Sequence, residues 1–264
     1  MNSVIILESI ILAAGFCSRF DFKDNSLKKY MLPFERSNIL NYIIIAMHRA
    51  GIERVNIIVD DKVDKSKILK TLNDFIEKLE IDDSPKLNFV ENKYSERENG
   101  FSLYLGLKKV TSQNFVLSMA DHIFSQNLYS ILIENYKNQD IVLATDPMKI
   151  KGIYDLDDCT KIFGNNSQII KIGKKIPEYN RLDMGVFIMK SNPIRKISEK
   201  IEKENNKFGV SDIILSAISS NLNVAYFDFS NTIWLDIDTD IEYKKLDTVF
   251  YKSSEFRPFD LEFT

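Results

Sequence analysis

Along the first half of the chain, short runs of consecutive apolar residues alternate with stretches whose apolar positions recur at helical spacing. The runs "SIILAAG", "RVNIIVD", "KLNFVEN", "NFVLSMAD" and "DIVLATD" predict strands. Between them, "NILNYIIIAMHRAG", "SKILKTLNDFIEKLE", "GFSLYLGLKKV" and "NLYSILIENYK" predict helices. Asn38 is placed to cap the first helix and Gly51 to stop it. Strands that are apolar on both faces, alternating with amphipathic helices, are what a parallel sheet covered on both sides requires.

After Asp146 the pattern changes. "CTKIFGNNSQIIKIGK" reads as two strands around a Gly-Asn-Asn turn, and "RLDMGVFIMK" as a further strand. Two helical stretches follow, "NPIRKISEKIEKENN" and "VSDIILSAISS". "NVAYFDFS", "TIWLDIDT" and "DIEYKKLDTVFY" then give strand, strand and helix. The expected fold class is α/β, a Rossmann-like mostly parallel sheet flanked by helices, followed by a more antiparallel half.

Composition narrows the function classes. The chain has 264 residues, 44% hydrophobic and 28% charged, with a net charge of -3. No Pro/Gly/Ser linker or repeat divides it, so a single domain over 1–264 is expected. Lys and Arg are spread along the chain, which gives nucleic-acid backbone no footprint. The two cysteines, Cys17 and Cys159, form no C-x-x-C pair, so neither a disulfide scaffold nor a structural zinc site is expected. Reduced cytoplasm is the natural compartment. The opening "MNSVIILESIILAAG" is interrupted by Glu8 and Ser9 and reads as an extension of the first strand rather than a signal peptide. No apolar run reaches the roughly 20 residues of a membrane span.

In open α/β sheets, ligands bind at the carboxyl ends of the strands. After the first strand, Leu12, Ala13, Ala14 and Gly15 leave backbone N–H groups accessible to a phosphate. Ser18 adds a hydroxyl donor and Arg19 a planar fork of donors. The second glycine and the lysine of a P-loop are missing. A dinucleotide fingerprint would need two more glycines, and Asp60 lies 45 residues past Gly15 rather than about 20. An ordinary strand-to-loop turn explains an isolated A-A-G equally well.

Taken together, "LAAGFCSRF" and "KKYMLPF" resemble the nucleotidyltransferase superfamily, which joins nucleoside triphosphates to phosphorylated small molecules. The signature lysine falls on Lys29, with Lys28 where that superfamily usually has proline, and Cys17 fills a place usually small. Within it, the sequence is similar to the archaeal-type CTP:inositol-1-phosphate cytidylyltransferases. The matching segments are "ERENGFSLYLGL", "FVLSMADHIFS", "DLDDCTKIFGNNSQIIKIGKKIPEYNRLDMGVFIMK" and "WLDIDTDIEYKKL". The resemblance implies a nucleotide-binding half at about 9–146 and an acceptor-binding half at about 147–250. It also implies in-line attack of an acceptor phosphate on the α-phosphorus of CTP, assisted by Mg²⁺.

The resemblance assigns roles residue by residue. Arg19 and Lys29 hold the triphosphate, and Asn99, Gly100 and Ser102 lie by the base and ribose. Asp121 and Asp238 carry the metal with Asp236 as auxiliary, in keeping with the preference of hard divalent ions for strand-end carboxylates. Asp236 or Asp240 serving only as a helix cap is the plain alternative. Lys174, or else Lys175, presents the acceptor phosphate, and Asp183 contacts acceptor hydroxyls. Met184 replaces a smaller residue, and its bulk is expected to reshape the acceptor pocket. His48 is expected near the surface and His122 to be packed and hydrogen-bonded. Sugar 1-phosphates and phosphocholine remain alternative acceptors, other nucleoside triphosphates alternative donors, and a non-catalytic nucleotide-sensing subunit a more distant reading. Expected partners are a second copy of the chain and a separate membrane phosphotransferase that takes up CDP-inositol.

Overall fold

The structure, a computed structural model, describes residues 6–15, 28–125, 127–148 and 155–249. In the first half the elements are β1 (Glu8–Ala13), β2 (Pro33–Phe34), β3 (Ser37–Asn38), α1 (Ile39–Arg49), β4 (Arg54–Asp60), α2 (Lys65–Lys78) and β5 (Lys86–Asn92). They continue with α3 (Glu98–Leu107), β6 (Asn114–Met119), β7 (His122–Phe124), α4 (Leu128–Glu134) and β8 (Ile141–Asp146). The second half adds β9 (Lys161–Asn165), β10 (Gln168–Gly173), β11 (Arg181–Lys190), α5 (Ser191–Glu204) and α6 (Val210–Ser219). It closes with β12 (Val224–Asp228), β13 (Trp234–Asp236) and α7 (Asp240–Val249).

The main sheet has nine strands in the order β5-β4-β1-β6-β11-β8-β12-β10-β9. β1 is parallel to β4 and β6, β4 to β5, and β8 to β12. β11 runs antiparallel between β6 and β8, and β10 antiparallel between β12 and β9. The two halves expected from sequence thus share one continuous mixed sheet, joined where β11 inserts beside β6.

Alternation along β1 explains why both faces are covered. Ile11 and Ala13 pack with Ile44, Leu72 and Leu132 of α1, α2 and α4. Ile10 and Leu12 pack with Leu103, Ile194 and Ile213 of α3, α5 and α6. Each such leucine or isoleucine, fully buried, contributes about 1.5–3 kcal/mol before chain entropy is counted. The starts of α1 and α2 are set by side-chain caps. Asn38 Oδ1 accepts the Asn41 N–H at 3.0 Å, and Asp64 Oδ1 accepts that of Ser66 at 2.9 Å. Gly51, just past α1, has φ +88°, which suits a helix stop at glycine.

Two details differ from the sequence expectation. The β9–β10 turn is centred on Asn166 and Ser167, with φ of 48° and 61°, the paired left-handed geometry of a two-residue hairpin. Gly164 lies instead within β9, where an added Cβ would come within 2.6 Å of the Tyr226 ring. The other is a pair of small sheets: β2 with β3, and β7 with β13. β13 falls inside the expected strand "TIWLDIDT", whereas β2, β3 and β7 are too short to show a period in sequence.

At the amino end of β1, buried Glu8 accepts the Thr111 N–H at 2.8 Å, the Thr111 hydroxyl at 2.6 Å and Arg54 Nε–H at 2.8 Å. Burial alone would raise its pKa, but Thr111, Arg54 and the Ser112 N–H outweigh it and hold the carboxyl at about 2. A depressed folded-state pKa stabilises above the unfolded value and loses that contribution as pH falls. Glu8→Gln should therefore lower the melting temperature at pH 7. It should also flatten the stability loss that the unaltered protein shows between pH 4.5 and about 2. Melting curves recorded across that range check both.

Candidate active site

β1 delivers Leu12, Ala13 and Ala14, all buried, and an exposed Gly15 to the carboxyl edge of the sheet. These small residues form one wall of a cavity of about 340 Å³, with Lys29, Asn99, Ser102 and Asp121 on its other sides. Ser18 and Arg19, with Cys17, lie outside the described residues.

Three distant segments meet at the mouth. Lys29 opens a one-turn 3₁₀ helix, Lys29–Met31, and its ammonium contacts the carboxylates of Asp121 and Asp238. Asp121 follows β6, and the β7–β13 pair brings the other acids to it. Asp236 stands opposite His122 across that pair, and the Ile237 N–H donates to the Asp121 carbonyl at 3.0 Å. His122 Nδ1 lies 2.9 Å from Asp121 Oδ1, and its ring stacks on Trp234 at 5.6 Å and 10°. The Trp234 indole N–H donates to Asp146 Oδ2 at 3.0 Å. His122 is thus packed and hydrogen-bonded as expected, and it belongs to the site as well. His48 is half-buried on α1.

Electrostatics follow from crowding charge in a small, poorly solvated space. Burial disfavours the Lys29 ammonium, yet Asp121, Asp236 and Asp238 outweigh it and hold its pKa above the ordinary lysine value. Burial likewise opposes Asp121, but Lys29 and His122 keep its pKa below the usual carboxylate range. Burial pushes Asp236 up to about 7, with Asp121 and Asp238 adding repulsion that His122 partly offsets. The donor set suits a hard divalent cation. Asp121, His122 and Asp236 offer ligand atoms within 4.8 Å of one another, and buried Asp236 Oδ1 has no hydrogen-bond partner among the described residues. Asp238 joins this set through their shared contact with Lys29.

On the opposite wall, Glu98 has φ 70° and ψ 178°, a backbone region costly for any side chain. Its neighbours hold it there. Arg97 Nε–H donates to the Asn206 carbonyl at 2.8 Å, and the Gly100 N–H to the Phe208 carbonyl at 3.1 Å. Asn99 Oδ1 accepts the Val210 N–H at 2.8 Å, so this side chain caps α6 rather than its own helix and keeps its amide N–H₂ as donor. Gly100 is buried against Phe208 and Gly209, where a Cβ would meet backbone oxygens at 2.6 Å. The close approach it permits is to this connector, not to the cavity. Ser102 lines the cavity and accepts from Asn92 Nδ2–H at 2.9 Å.

Across the sheet, β11 shifts register between Asp183 and Phe187. Gly185, at φ +73°, sits in that bulge with the His122 ring 2.9 Å from where its Cβ would be. Asp183 Oδ1 accepts the Gly185 N–H at 2.7 Å, and burial raises the Asp183 carboxyl to about 6. Met184 is fully buried in the core, so its bulk faces packed side chains and does not reshape an open pocket. Lys174 and Lys175 are exposed, and Lys174 Nζ donates to Asp158 Oδ1 at 2.6 Å.

Residues 9–153, more than half of the chain, match the MobA-like NTP transferase domain. The chain belongs to that family. It is 25% identical over 237 residues to a Thermococcus kodakarensis protein named "Bifunctional IPC transferase and DIPP synthase", covering 90% of this chain and 49% of the other. The chain therefore spans about half the length of that relative. A Campylobacter jejuni protein named "CTP:phosphoglutamine cytidylyltransferase" is 25% identical over 192 residues, covering 69% of this chain and 72% of the other. Among solved structures, the inositol-1-phosphate CTP transferase from T. maritima superposes with a TM-score of 0.75. It is 25% identical and covers 91% of this chain and 92% of its own. The mixed sheet flanked by helices is the fold of these nucleotide-sugar-type transferases.

The bulge geometry makes Gly185 a sensitive position. Gly185→Ala combines left-handed strain with overpacking against His122, and should destabilise the protein by roughly 2–4 kcal/mol. Urea unfolding of the variant measures this.

Proposed function

We propose that the chain transfers the cytidylyl group of CTP to inositol 1-phosphate, giving CDP-inositol and pyrophosphate. The observation that carries nucleotidyl transfer is the Lys29 ammonium held against Asp121 and Asp238 at the mouth of a cavity walled by small residues. The likeness to the T. maritima inositol-1-phosphate CTP transferase supports the choice of donor and acceptor. An assembled Lys29–Asp121–Asp238 cluster also favours an enzyme over a nucleotide-sensing subunit.

An acceptor phosphate oxygen attacks the α-phosphorus in line. The new oxygen–phosphorus bond forms as the α–β bridge breaks, and pyrophosphate leaves with the electron pair. A phosphate nucleophile is ionised at neutral pH, so no general base is required. Lys29, with Arg19, neutralises charge on the triphosphate and on the leaving pyrophosphate. Asn99 and Ser102 face the nucleoside from the α3 wall. Asp183 serves the acceptor hydroxyls, and a lysine of the β9–β10 side serves its phosphate. Asp121, Asp236 and Asp238 would hold Mg²⁺, which when bound supplies positive charge beside the reacting phosphate.

A second reading keeps CTP and changes the acceptor, and the resemblance to the CTP:phosphoglutamine enzyme favours it. No helix among the described residues is long and apolar enough to cross a membrane. A phosphotransferase that consumes CDP-inositol, and a second copy of this chain, are the partners this reading calls for. The setting it calls for is the cytoplasm.

Pyrophosphate release measured over the four nucleoside triphosphates and over inositol 1-phosphate, a sugar 1-phosphate and phosphocholine should be fastest for CTP with inositol 1-phosphate. A different preferred pair would replace this assignment. Asp121→Asn should cut turnover by about 10²-fold or more with little change in melting temperature. Near-unaltered turnover in that variant would overturn the role given to the cluster.

A further inference from the structure

Lys161 is the first residue of β9 and is only 9% exposed. It pairs with Leu182 of β11, which pairs in turn with Asp146 of β8. Directly opposed residues share a sheet face, so Lys161 stands in one cross-strand row with Asp146, the acceptor for the Trp234 indole. Trp234 carries the His122 ring, and Asp236 lies two residues further along β13. Lys161 therefore belongs to the face that carries the carboxylate cluster.

The Lys161 ammonium is held there by a backbone and a ring contact. Its Nζ donates to the Lys174 carbonyl at 2.9 Å and lies 5.6 Å from the centre of the Tyr179 ring. Among the described residues it has no carboxylate partner, and two of its three N–H groups are uncommitted. Buried charges are normally paired, because an uncompensated one is costly. Lys174 is the opposite case: its side chain is 54% exposed and already paired with Asp158. Two residues before Lys161, the Cys159 thiol is pushed up to about 12 by burial and by Asp236, Asp158 and Asp155, with Lys161 pulling the other way.

We propose that Lys161, rather than Lys174, binds the phosphate of the acceptor. The inference rests on the reading of this chain as an enzyme with a phosphorylated acceptor. A lysine whose stem is packed in the sheet and whose ammonium keeps open donors is preorganised for a dianionic phosphate, whereas Lys174 must first leave Asp158 and water. The Lys174 carbonyl keeps a part, since it fixes the direction of the Lys161 ammonium. The "IGK" turn thus acts through its backbone.

The test compares Lys161→Gln, Lys161→Arg and Lys174→Gln in pyrophosphate release at saturating CTP with inositol 1-phosphate varied. Loss of a charge-assisted contact predicts about a ten-fold or larger rise in acceptor KM for Lys161→Gln, with the KM for CTP within about three-fold. Lys161→Arg should recover part of the loss, and Lys174→Gln should stay within about three-fold. Because Lys161→Gln removes a charge that has no carboxylate partner among the described residues, its melting temperature should be unchanged or higher, which a purely structural lysine would not show. An unchanged acceptor KM, an equal rise in both KM values, or a larger loss in Lys174→Gln would each overturn the assignment. If the unaltered enzyme prefers another phosphorylated acceptor, the proposed substrate falls, while the same KM comparison with that acceptor still decides Lys161. If no acceptor is turned over, calorimetric titration with inorganic phosphate decides it. Binding by the unaltered protein but not by Lys161→Gln supports the site, and equal binding or none overturns it.

Discussion

The contact of Lys29 with Asp121 and Asp238 is the constraint around which the site is organised. Burial raises the Asp236 pKa, and repulsion from Asp121 and Asp238 in the same poorly solvated space adds to it. Lys29 and His122 together offset part of this, and the lysine arrives from a loop far away in sequence. The β7–β13 pair performs the complementary task, because its backbone register alone puts Asp236 opposite His122 and Ile237 beside Asp121. Residues that are weak candidates singly become one electrostatic unit when these two devices act together.

The sheet carries this unit at the edge where parallel strands end, and β11 extends it. β11 runs against its neighbours, so it joins the parallel half to the hairpin half and passes the site on its way. The bulge at Met184 and Gly185 is what this passage requires. The left-handed glycine lets the strand clear the His122 ring, and the register shift leaves the Asp183 carboxylate bonded to the Gly185 N–H within electrostatic reach of His122. On the opposite wall, the strained Glu98 backbone is tolerated because Arg97, Asn99 and Gly100 are all fastened to the segment ahead of α6. The α3 wall of the cavity is therefore only as rigid as the α5–α6 connection.

Much of the architecture was legible in the residues. "RVNIIVD", "KLNFVEN" and "RLDMGVFIMK" are strands with the bounds their patterns imply, and Asn38 caps the helix it was expected to cap. These features depend on local periodicity and on side chains bonding a few residues away. The turn in "FGNNSQ" was misread because both glycine and asparagine tolerate turns, and only the ring of Tyr226 explains why glycine sits in the strand. Gly100 and Met184 were read as facing ligands. Both instead face protein, Gly100 the connector before α6 and Met184 the core.

The order of residues fixes the alternating α/β pattern and the small-residue end of the first strand, and the family resemblance it carries marks one lysine and three aspartates as candidates for phosphate and metal chemistry. It does so because strand burial, helix periodicity and phosphate-binding loops each leave a local mark. Only the tertiary structure decided that Asp236 and His122 face each other, that Asn99 caps a helix more than a hundred residues away, and that Lys174 is solvated while Lys161 is buried. Those outcomes depend on strand register and on burial. Both are set by contacts between distant segments, and neither changes the identity of any residue along the chain.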